Sequence, residues 1–363
     1  MRSYVSTLPF LLGVAVGCVP PHQNDAGRGT SDSGSGDSGA VGDDSGIATD
    51  DTGIEPEDTG SAAPATLLEL FAQLGPDAVV QTLADAAVGG QIVGDSTSIT
   101  FGANSFSYQD GSPVSGPVNV AITEFETLGD MIRGGHATIT GDGTWLATSG
   151  SIDLSATQEG EPLRIDGIEE MAFDQWDVEP ATDGEELGEM QLWVADAANQ
   201  PWAAPAERPI VAGIGKGSGE DPSNTYLFNT NFASGIGSYP SFNCDAVANL
   251  SSVHVTLVVE FLSHFSTEAG VFFIPANQNI AVRLYNGDSS LPGYRSYENT
   301  MPVGITGKLV IFSLVDGEYF LFHDDAYTIP PGTDDGMGGM SETLPVDLAA
   351  TSEADFNAYI DSL

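Results

Sequence analysis

The sequence predicts a mainly β protein in which two antiparallel β-sandwich-like domains follow a disordered acidic tether and a short helix closes the chain. Residues 79–173 and 239–330 consist of short apolar or β-branched segments separated by glycine-rich turns, which is typical of antiparallel sandwiches. Residues 22–63 contain ten acids, one arginine and almost no large apolar side chain. Such a segment cannot bury enough surface to offset the entropy of ordering, so we expect a disordered tether.

The length of the chain predicts its number of domains, and its net charge excludes one class of partner. A chain of 363 residues exceeds the usual size of a single domain, so two globular units are expected. The 52 acidic and 9 basic side chains give a formal net charge of -43. Phosphate backbones repel such a chain, and the sequence contains no basic patch to neutralise them. We therefore expect no nucleic-acid partner.

The first 17 residues form a short apolar run with one early positive charge, which predicts an export signal peptide. The segment AVGC, residues 15–18, resembles the lipobox of bacterial lipoproteins, with Ala15 where leucine is usual. The resemblance implies that Cys18 becomes the first residue, is acylated and anchors the protein to a membrane. Val19 stands where the family uses aspartate for inner-membrane retention. The expected location is therefore the bacterial cell envelope, with the outer membrane preferred.

Shifts in composition along the chain set the predicted domain boundaries. The predicted segments are the signal peptide (1–17), the Asp/Gly/Ser-rich tether (18–64), a β-sandwich domain (65–175), a Trp-bearing connector (176–238), a second β-domain (239–335), and a linker with the C-terminal helix (336–363).

Three helices are expected within this β framework. The segment ATLLELFAQL, residues 65–74, places its apolar side chains at helical spacing before Gly75-Pro76. A single helical turn is expected at LGDMIRG, residues 128–134. SEADFNAYIDSL, residues 352–363, begins with Ser352 as N-cap and carries apolar side chains on one side, so we expect it to dock on the second domain.

Turn glycines and core positions between residues 85 and 166 show a resemblance to a known fold. The segments DGSPVSGPVNV (110–120), LATSGSIDLSA (146–156) and EGEPLRI (159–165) look like parts of a β-sandwich domain of exported bacterial surface proteins. That sandwich is of the zonula-occludens/uncoordinated-five type. The first segment also resembles the opening of transthyretin-like sandwiches. Both resemblances imply a fold rather than an activity.

Three tryptophans of the predicted connector are candidates for a binding surface. Trp176, Trp193 and Trp202 stand among prolines, glycines and acids. Indole rings spaced in this way can line a surface for a glycan or protein partner. Alternatively, they fill gaps between a sandwich and its neighbour.

The tripeptide His264-Phe265-Ser266 resembles the site at which some zonula-occludens/uncoordinated-five-type and nucleoporin domains cleave themselves. The resemblance implies attack by the Ser266 hydroxyl on the preceding carbonyl, with His264 as the base. A turn after the preceding strand explains the same residues.

Several other polar residues are candidates for a functional site. Asp324 and Asp325, in FHDDAY, could bind calcium at a strand exit or lie in a solvated turn. Glu124 and Glu126 could bind a cation or be outward-facing acids of a half-exposed strand. Cys244 lies in an aromatic and apolar context, which favours burial over a reactive thiol.

The function predicted from the sequence is structural or binding work by a lipid-anchored cell-envelope surface protein, without catalysis. Its partner would be a protein, a glycan or the matrix, and its membrane contact would be through the lipid on Cys18. One alternative is a self-cleaving domain cut between Phe265 and Ser266. Another is a calcium-dependent adhesion module. Apart from calcium in that alternative, the sequence predicts no cofactor.

Overall fold

The computed structural model describes most of the chain after residue 65. The described residues are 66–174, 191–195, 201–203, 212–213, 225–229, 241–248, 250, 253–262, 269–286, 293–334, 336 and 339–363. All of them belong to one compact unit, Gly60–Leu363. Within it the architecture is mainly β, with several antiparallel sheets and a short C-terminal helix, so the predicted fold class is confirmed.

The first sandwich is built from strands before residue 248. They are β1 (Val79–Leu83), β2 (Gly90–Val93), β3 (Thr97–Phe101), β4 (Phe106–Ser107), β5 (Val118–Phe125), β6 (Leu146–Gln158), β7 (Glu161–Pro162), β8 (Arg164–Ile165), β9 (Glu170–Asp174), β10 (Gln191–Ala195), β11 (Ala212–Gly213), β12 (Thr225–Asn229) and β13 (Ser241–Val247). One sheet has the order β1-β5-β6-β13-β10, with β7 on β6, and the other has the order β11-β12-β9-β3-β2. Strand β5 shows why they pack, because its buried and less buried residues alternate. Side chains of both sheets form one hydrophobic core.

The second sandwich is built from the later strands. They are β14 (His254–Phe261), β15 (Gly270–Pro275), β16 (Val282–Arg283), β17 (Tyr285–Asn286), β18 (Tyr294–Arg295), β19 (Met301–Pro302), β20 (Thr306–Val315), β21 (Glu318–Thr328), β22 (Thr333–Asp334), β23 (Met340–Val346) and β24 (Ala349–Thr351). One sheet runs β17-β18-β14-β23-β22, and the other runs β16-β15-β20-β21-β24. Strands β14 and β23 pair in parallel, whereas the other pairs in these two sheets are antiparallel. A second core lies between the two sheets.

Several strands lie outside the sequence segments in which strands of their sandwich are predicted. Strands β10, β11 and β12 fall in the predicted connector, yet they hydrogen-bond within the first sandwich. Strand β13 was assigned to the second domain and pairs instead with β6 and β10. Strand β23 occupies part of the predicted C-terminal linker and lies beside β14. Segments that differ in composition, and that the sequence therefore assigns to different domains, pair within the same sheets.

The three predicted helices are confirmed as α1 (Leu67–Leu74), α2 (Leu128–Gly134) and α3 (Glu353–Asp361). The first two begin with capping boxes, in which Thr66 and Thr127 bond to the backbone of the N3 residue. All three pack on the outer face of the sheet that contains β15 and β20, where their apolar side chains form a third core. The C-terminal helix thus docks on the second sandwich, and it also contacts α2 of the first part of the chain.

A hairpin from the first part of the chain enters the second sandwich. Residues 137–147 contribute apolar side chains to the second core. The Thr138 N–H donates to the Ala281 carbonyl, and the Ala281 N–H donates to the Thr138 hydroxyl, both at 2.8 Å. The Thr148 N–H donates to the Asn279 carbonyl at 2.9 Å. These bonds hold the hairpin against the second sandwich.

Candidate functional site

The tip of this hairpin is the glycine-rich turn TGDGT, residues 140–144. The Thr140 N–H donates to the Thr144 carbonyl at 2.9 Å, and the Thr144 N–H donates to the Thr140 hydroxyl at 2.9 Å. The Thr140 hydroxyl in turn donates to the Asp142 carboxylate. Because short polar side chains bond to their own backbone here, the turn has a fixed shape. Asp142 is thereby held in an exposed position at the tip.

Gly143 brings the turn into close contact with the second sandwich. Its φ of 85° lies in the left-handed region, which glycine adopts without steric cost. A Cβ atom at this position would overlap the side chain of Thr300 and crowd that of Tyr297. Only glycine therefore allows the turn to approach the loop before β19 this closely.

A cavity of about 520 Å³ lies beside this contact. The hairpin tip, the end of β13, the start of β14 and the loop into β19 form its walls. Its lining residues are Asp142, Gly143, Thr144, Trp145, Val247, Ala248, Leu250, His254, Asn299, Thr300 and Pro302. Asp142 and Asn299 are exposed at the rim, whereas Trp145, Ala248 and Pro302 are buried. Small-molecule sites have volumes of about 300–1,000 Å³, so this cavity is of a suitable size.

The electrostatics of the cavity favour neutral or positively charged ligands. Hydrogen bonds from Thr140 and Thr144 hold the pKa of the Asp142 carboxyl below its usual value, so this group is an anion at neutral pH. No lysine or arginine is among the described lining residues. Trp145 is 3% exposed, and its indole N–H has no hydrogen-bond partner among the described residues. The lining therefore offers hydrogen-bonding groups beside apolar surface, which suits binding.

A second polar cluster lies inside the fold and was not predicted from the sequence. His136 follows the left-handed cap of α2, its Nε2 is 3.2 Å from Asp153 Oδ2, and its Nδ1 is 3.2 Å from Ser151 Oγ. The Ser241 hydroxyl donates to the other oxygen of Asp153. Serine, histidine and aspartate thus form a continuous hydrogen-bonded chain between α2, β6 and β13.

The histidine and serine of this cluster are buried, which excludes contact with a substrate. His136 and Ser151 are each 2% exposed. The His136 imidazole stacks on the ring of Phe125, with ring centroids 3.9 Å apart. The Trp202 indole also lies beside it, with ring centroids 5.9 Å apart. A nucleophilic serine must meet its substrate, and this hydroxyl is enclosed by protein. The cluster therefore serves as a buried polar network that fixes α2 against the sheet.

A buried carboxyl lies further along the same pair of strands. The pairing of β13 with β6 shifts between Asn243 and Asp245, which marks a bulge. Asp245 is fully buried, and one of its oxygens accepts a bond of 2.6 Å from the Asn243 amide. Desolvation raises the pKa of Asp245 well above its usual value. The Thr148 hydroxyl completes the cluster by donating to the side-chain amide oxygen of Asn243 at 2.9 Å.

Cys244 lies between these polar residues and is confirmed as buried. Its exposed fraction is 0%, and it forms no disulfide. Burial raises the pKa of its thiol well above the usual value, which keeps it protonated and unreactive.

The tryptophans that the sequence proposed as a binding surface lie inside the fold where they are described. Trp193 is 7% exposed and donates its indole N–H to the Asp245 carbonyl at 3.2 Å. Trp202 is 2% exposed and donates to the Ala137 carbonyl. A ring that is enclosed cannot offer its face to a glycan, so these two fill gaps in the fold. Trp176 lies outside the described residues.

The pair proposed as calcium ligands lies within strand β21 and not at a strand exit or in a turn. The Asp324 carboxylate accepts from the Ala326 N–H at 3.0 Å, at a bulge between β20 and β21. The Asp325 carboxylate accepts from the Tyr359 hydroxyl at 2.8 Å and lies 3.3 Å from His323 Nδ1. Both carboxylates thus have protein partners. Among the described residues, no group of three or more histidine, cysteine or acidic side chains is arranged to hold a metal ion.

Glu124 is not the outward-facing acid that strand alternation suggested. It is 8% exposed, and its carboxylate accepts from the Asp95 N–H at 2.5 Å and from the Ser96 N–H and hydroxyl, each at 3.1 Å. Gly94 leaves the space for it, since a Cβ atom there would overlap the carboxylate. Glu124 therefore fastens the turn between β2 and β3 to the opposite sheet.

Glu126, the other acid proposed as a cation ligand, is half-buried directly after β5. The remaining predicted site residues fall outside the described part of the chain. These are Cys18 and the tripeptide His264, Phe265 and Ser266.

Comparisons with known proteins return no match. No protein-family model, no curated protein and no solved structure matches this chain. Among the described helices, none has the length and apolar character required to cross a membrane.

Proposed function

We propose that this protein is a lipid-anchored binding or structural protein of the bacterial cell envelope. The apolar run that ends in AVGC, residues 15–18, is the observation that supports the anchor most directly. Acylation of Cys18 holds the chain at a membrane, and the acidic, glycine-rich segment that follows holds the folded part away from the headgroups. The resemblance of residues 85–166 to β-sandwich domains of exported bacterial surface proteins also supports this location.

The described structure supports a binding or structural role over catalysis. Among the described residues, His136 bonds to both a serine and a carboxylate, and it is enclosed. The cavity beside the turn at residues 140–144 is open at its rim and carries polar groups suited to recognition. A rigid scaffold that presents a loop-lined cavity is a common arrangement for binding proteins.

Metabolic labelling tests the anchor. Full-length protein is produced in a lipoprotein-competent bacterial host with radiolabelled palmitate. The wild-type chain is expected to carry the label and to sediment with membranes, whereas Cys18→Ser abolishes both. The chain has only two cysteines, so Cys244→Ala is the matched control and keeps the label. An unlabelled wild type, or label retained in Cys18→Ser, contradicts the proposal.

A further inference from the structure

We propose that the cavity lined by the turn at residues 140–144 and by His254, Asn299 and Thr300 binds a neutral saccharide of about two sugar rings. The inference deepens the proposed function, on which it rests, by naming the class of ligand and the residues that recognise it. It places recognition at the junction of the two sandwiches and not on the connector tryptophans.

Charge selects against acidic ligands at this site. Asp142 is an anion, its neighbours in the lining include no described lysine or arginine, and the whole chain carries a net charge of -43. An anionic sugar or a phosphate would enter without a cationic partner and against a repulsive field. A neutral hydroxyl meets no such penalty.

The polar groups of the wall match sugar hydroxyls. A hydroxyl both donates and accepts, so it can donate to the Asp142 carboxylate and accept from an amide or imidazole N–H. Asn299 and His254 supply an amide and an imidazole, and Thr144 and Thr300 supply hydroxyls. Asn299 is held in the left-handed region, with a φ of 52°, which fixes where its side chain leaves the backbone.

The apolar part of the lining matches the carbon face of a sugar ring. Val247, Ala248, Leu250 and Pro302 form a wall that a ring can cover with its C–H groups. Trp145 also lines the cavity, and its ring packs near Phe273 in the second core.

Titration calorimetry on the full-length protein tests the proposal. The protein is kept in lauryldimethylamine oxide, because sugar-based detergents would compete for the site. The probes are diacetylchitobiose, cellobiose and maltose, with glucuronate as the anionic comparison. At least one neutral disaccharide is expected to bind at a single site, and glucuronate is expected to bind at least about tenfold more weakly.

Four variants locate the site. His254→Ala and Asn299→Ala are expected to weaken binding by at least about tenfold, the loss of one hydrogen-bonding group. His323→Ala is the control for the first, because His323 is part-exposed in β21, outside the lining. Asn277→Ala is the control for the second, because Asn277 has a similar φ of 59° but does not line the cavity. Both controls should bind as the wild type does.

Three results would overturn the proposal. They are the absence of binding by all three disaccharides, binding that is unchanged in both cavity variants, and glucuronate binding as tight as that of the neutral sugars. Thermal unfolding of each variant identifies any loss that comes from misfolding. The outcome is separate from that of the palmitate experiment, since a protein can be anchored without binding sugar and can bind sugar without being anchored.

Discussion

The buried carboxyl of Asp245 makes stability depend on pH in a direction that can be derived from the structure. Asp245 is 0% exposed, and its close described hydrogen bond comes from the neutral amide of Asn243. Without a cation beside it, the charged form is penalised, and desolvation raises its pKa well above the ordinary 3.8. The perturbation that removes this effect is Asp245→Asn, which keeps the shape and leaves no titratable proton.

The sign of the effect follows from proton binding in the two states. Below about pH 4 the carboxyl is protonated whether the chain is folded or unfolded. Above that pH the unfolded state loses the proton while the folded state keeps it, up to its own raised pKa. Stability therefore falls as pH rises through this window, by about 1.4 kcal/mol per pH unit from this group. That slope applies over the pH range between the ordinary pKa of the unfolded state and the raised pKa of the folded state.

Urea denaturation at several pH values, followed by tryptophan fluorescence, measures the effect. Trp193 is a suitable probe because its indole bonds to the Asp245 carbonyl. As the pH rises above about 4, the free energy of unfolding of Asp245→Asn should fall less steeply than that of the wild type, by at most the slope given above. Asp110→Asn is the control, because hydrogen bonds from Ser112 lower the pKa of that exposed carboxyl and keep it ionised throughout the window. Parallel profiles for wild type and Asp245→Asn would refute the reasoning.

Three further substitutions test other parts of the fold by urea or thermal unfolding. Phe71→Ala removes a ring that is 2% exposed between the helices and the second sandwich, and should cost about 3–5 kcal/mol, whereas Leu68→Ala, on the exposed face of the same helix, should cost under about 1 kcal/mol. Equal costs would argue against this docking of α1. Gly143→Ala should lower the melting temperature, and Gly141→Ala, with open space around it, should not; a neutral Gly143→Ala would contradict the close contact with Thr300. Glu124→Gln should cost about 1.5–3 kcal/mol by breaking charge-assisted bonds to the turn after β2, and an unchanged stability would show that those bonds contribute little.

The elements that the sequence predicts correctly are those with strong local signals. Helix α1 has Thr66 before it, apolar side chains at helical spacing and Gly75-Pro76 after it, and α3 has Ser352 as its cap. Buried and less buried residues alternate along strands β3 and β5, as the alternation of apolar and polar residues in their sequences predicts. Each of these signals is contained in a few consecutive residues, so no tertiary information is required.

The elements that the sequence misses depend on partners that are distant along the chain. Strand β10 pairs with β13, and the paired residues Trp193 and Asn243 are 50 positions apart in the sequence. The five residues of β10 do not by themselves indicate this partner. The bonds of His136 to Asp153 and of Glu124 to the turn after β2 likewise form only when separate strands meet. A histidine directly after the Gly134-Gly135 pair was a visible feature, but its partners were not.

The candidate cavity shows the same division. The turn TGDGT is recognisable in the sequence as a tight turn, and its glycines indicate close approach. Its position against His254, Asn299 and Thr300 depends on the packing of the hairpin into the second sandwich. Indole rings are common in binding surfaces, so the sequence favours the tryptophans as the recognition site. Trp193 and Trp202, the two that are described, are buried instead.

The denatured intact mass of the full-length protein, purified from a lipoprotein-competent host, tests the central claim most directly. The account predicts a single species that begins at Cys18 and carries added acyl mass. An unacylated species, or one that retains residues 1–17, would contradict the lipid anchor. Two fragments that meet between Phe265 and Ser266, and that disappear in Ser266→Ala, would instead identify a self-cleaving domain.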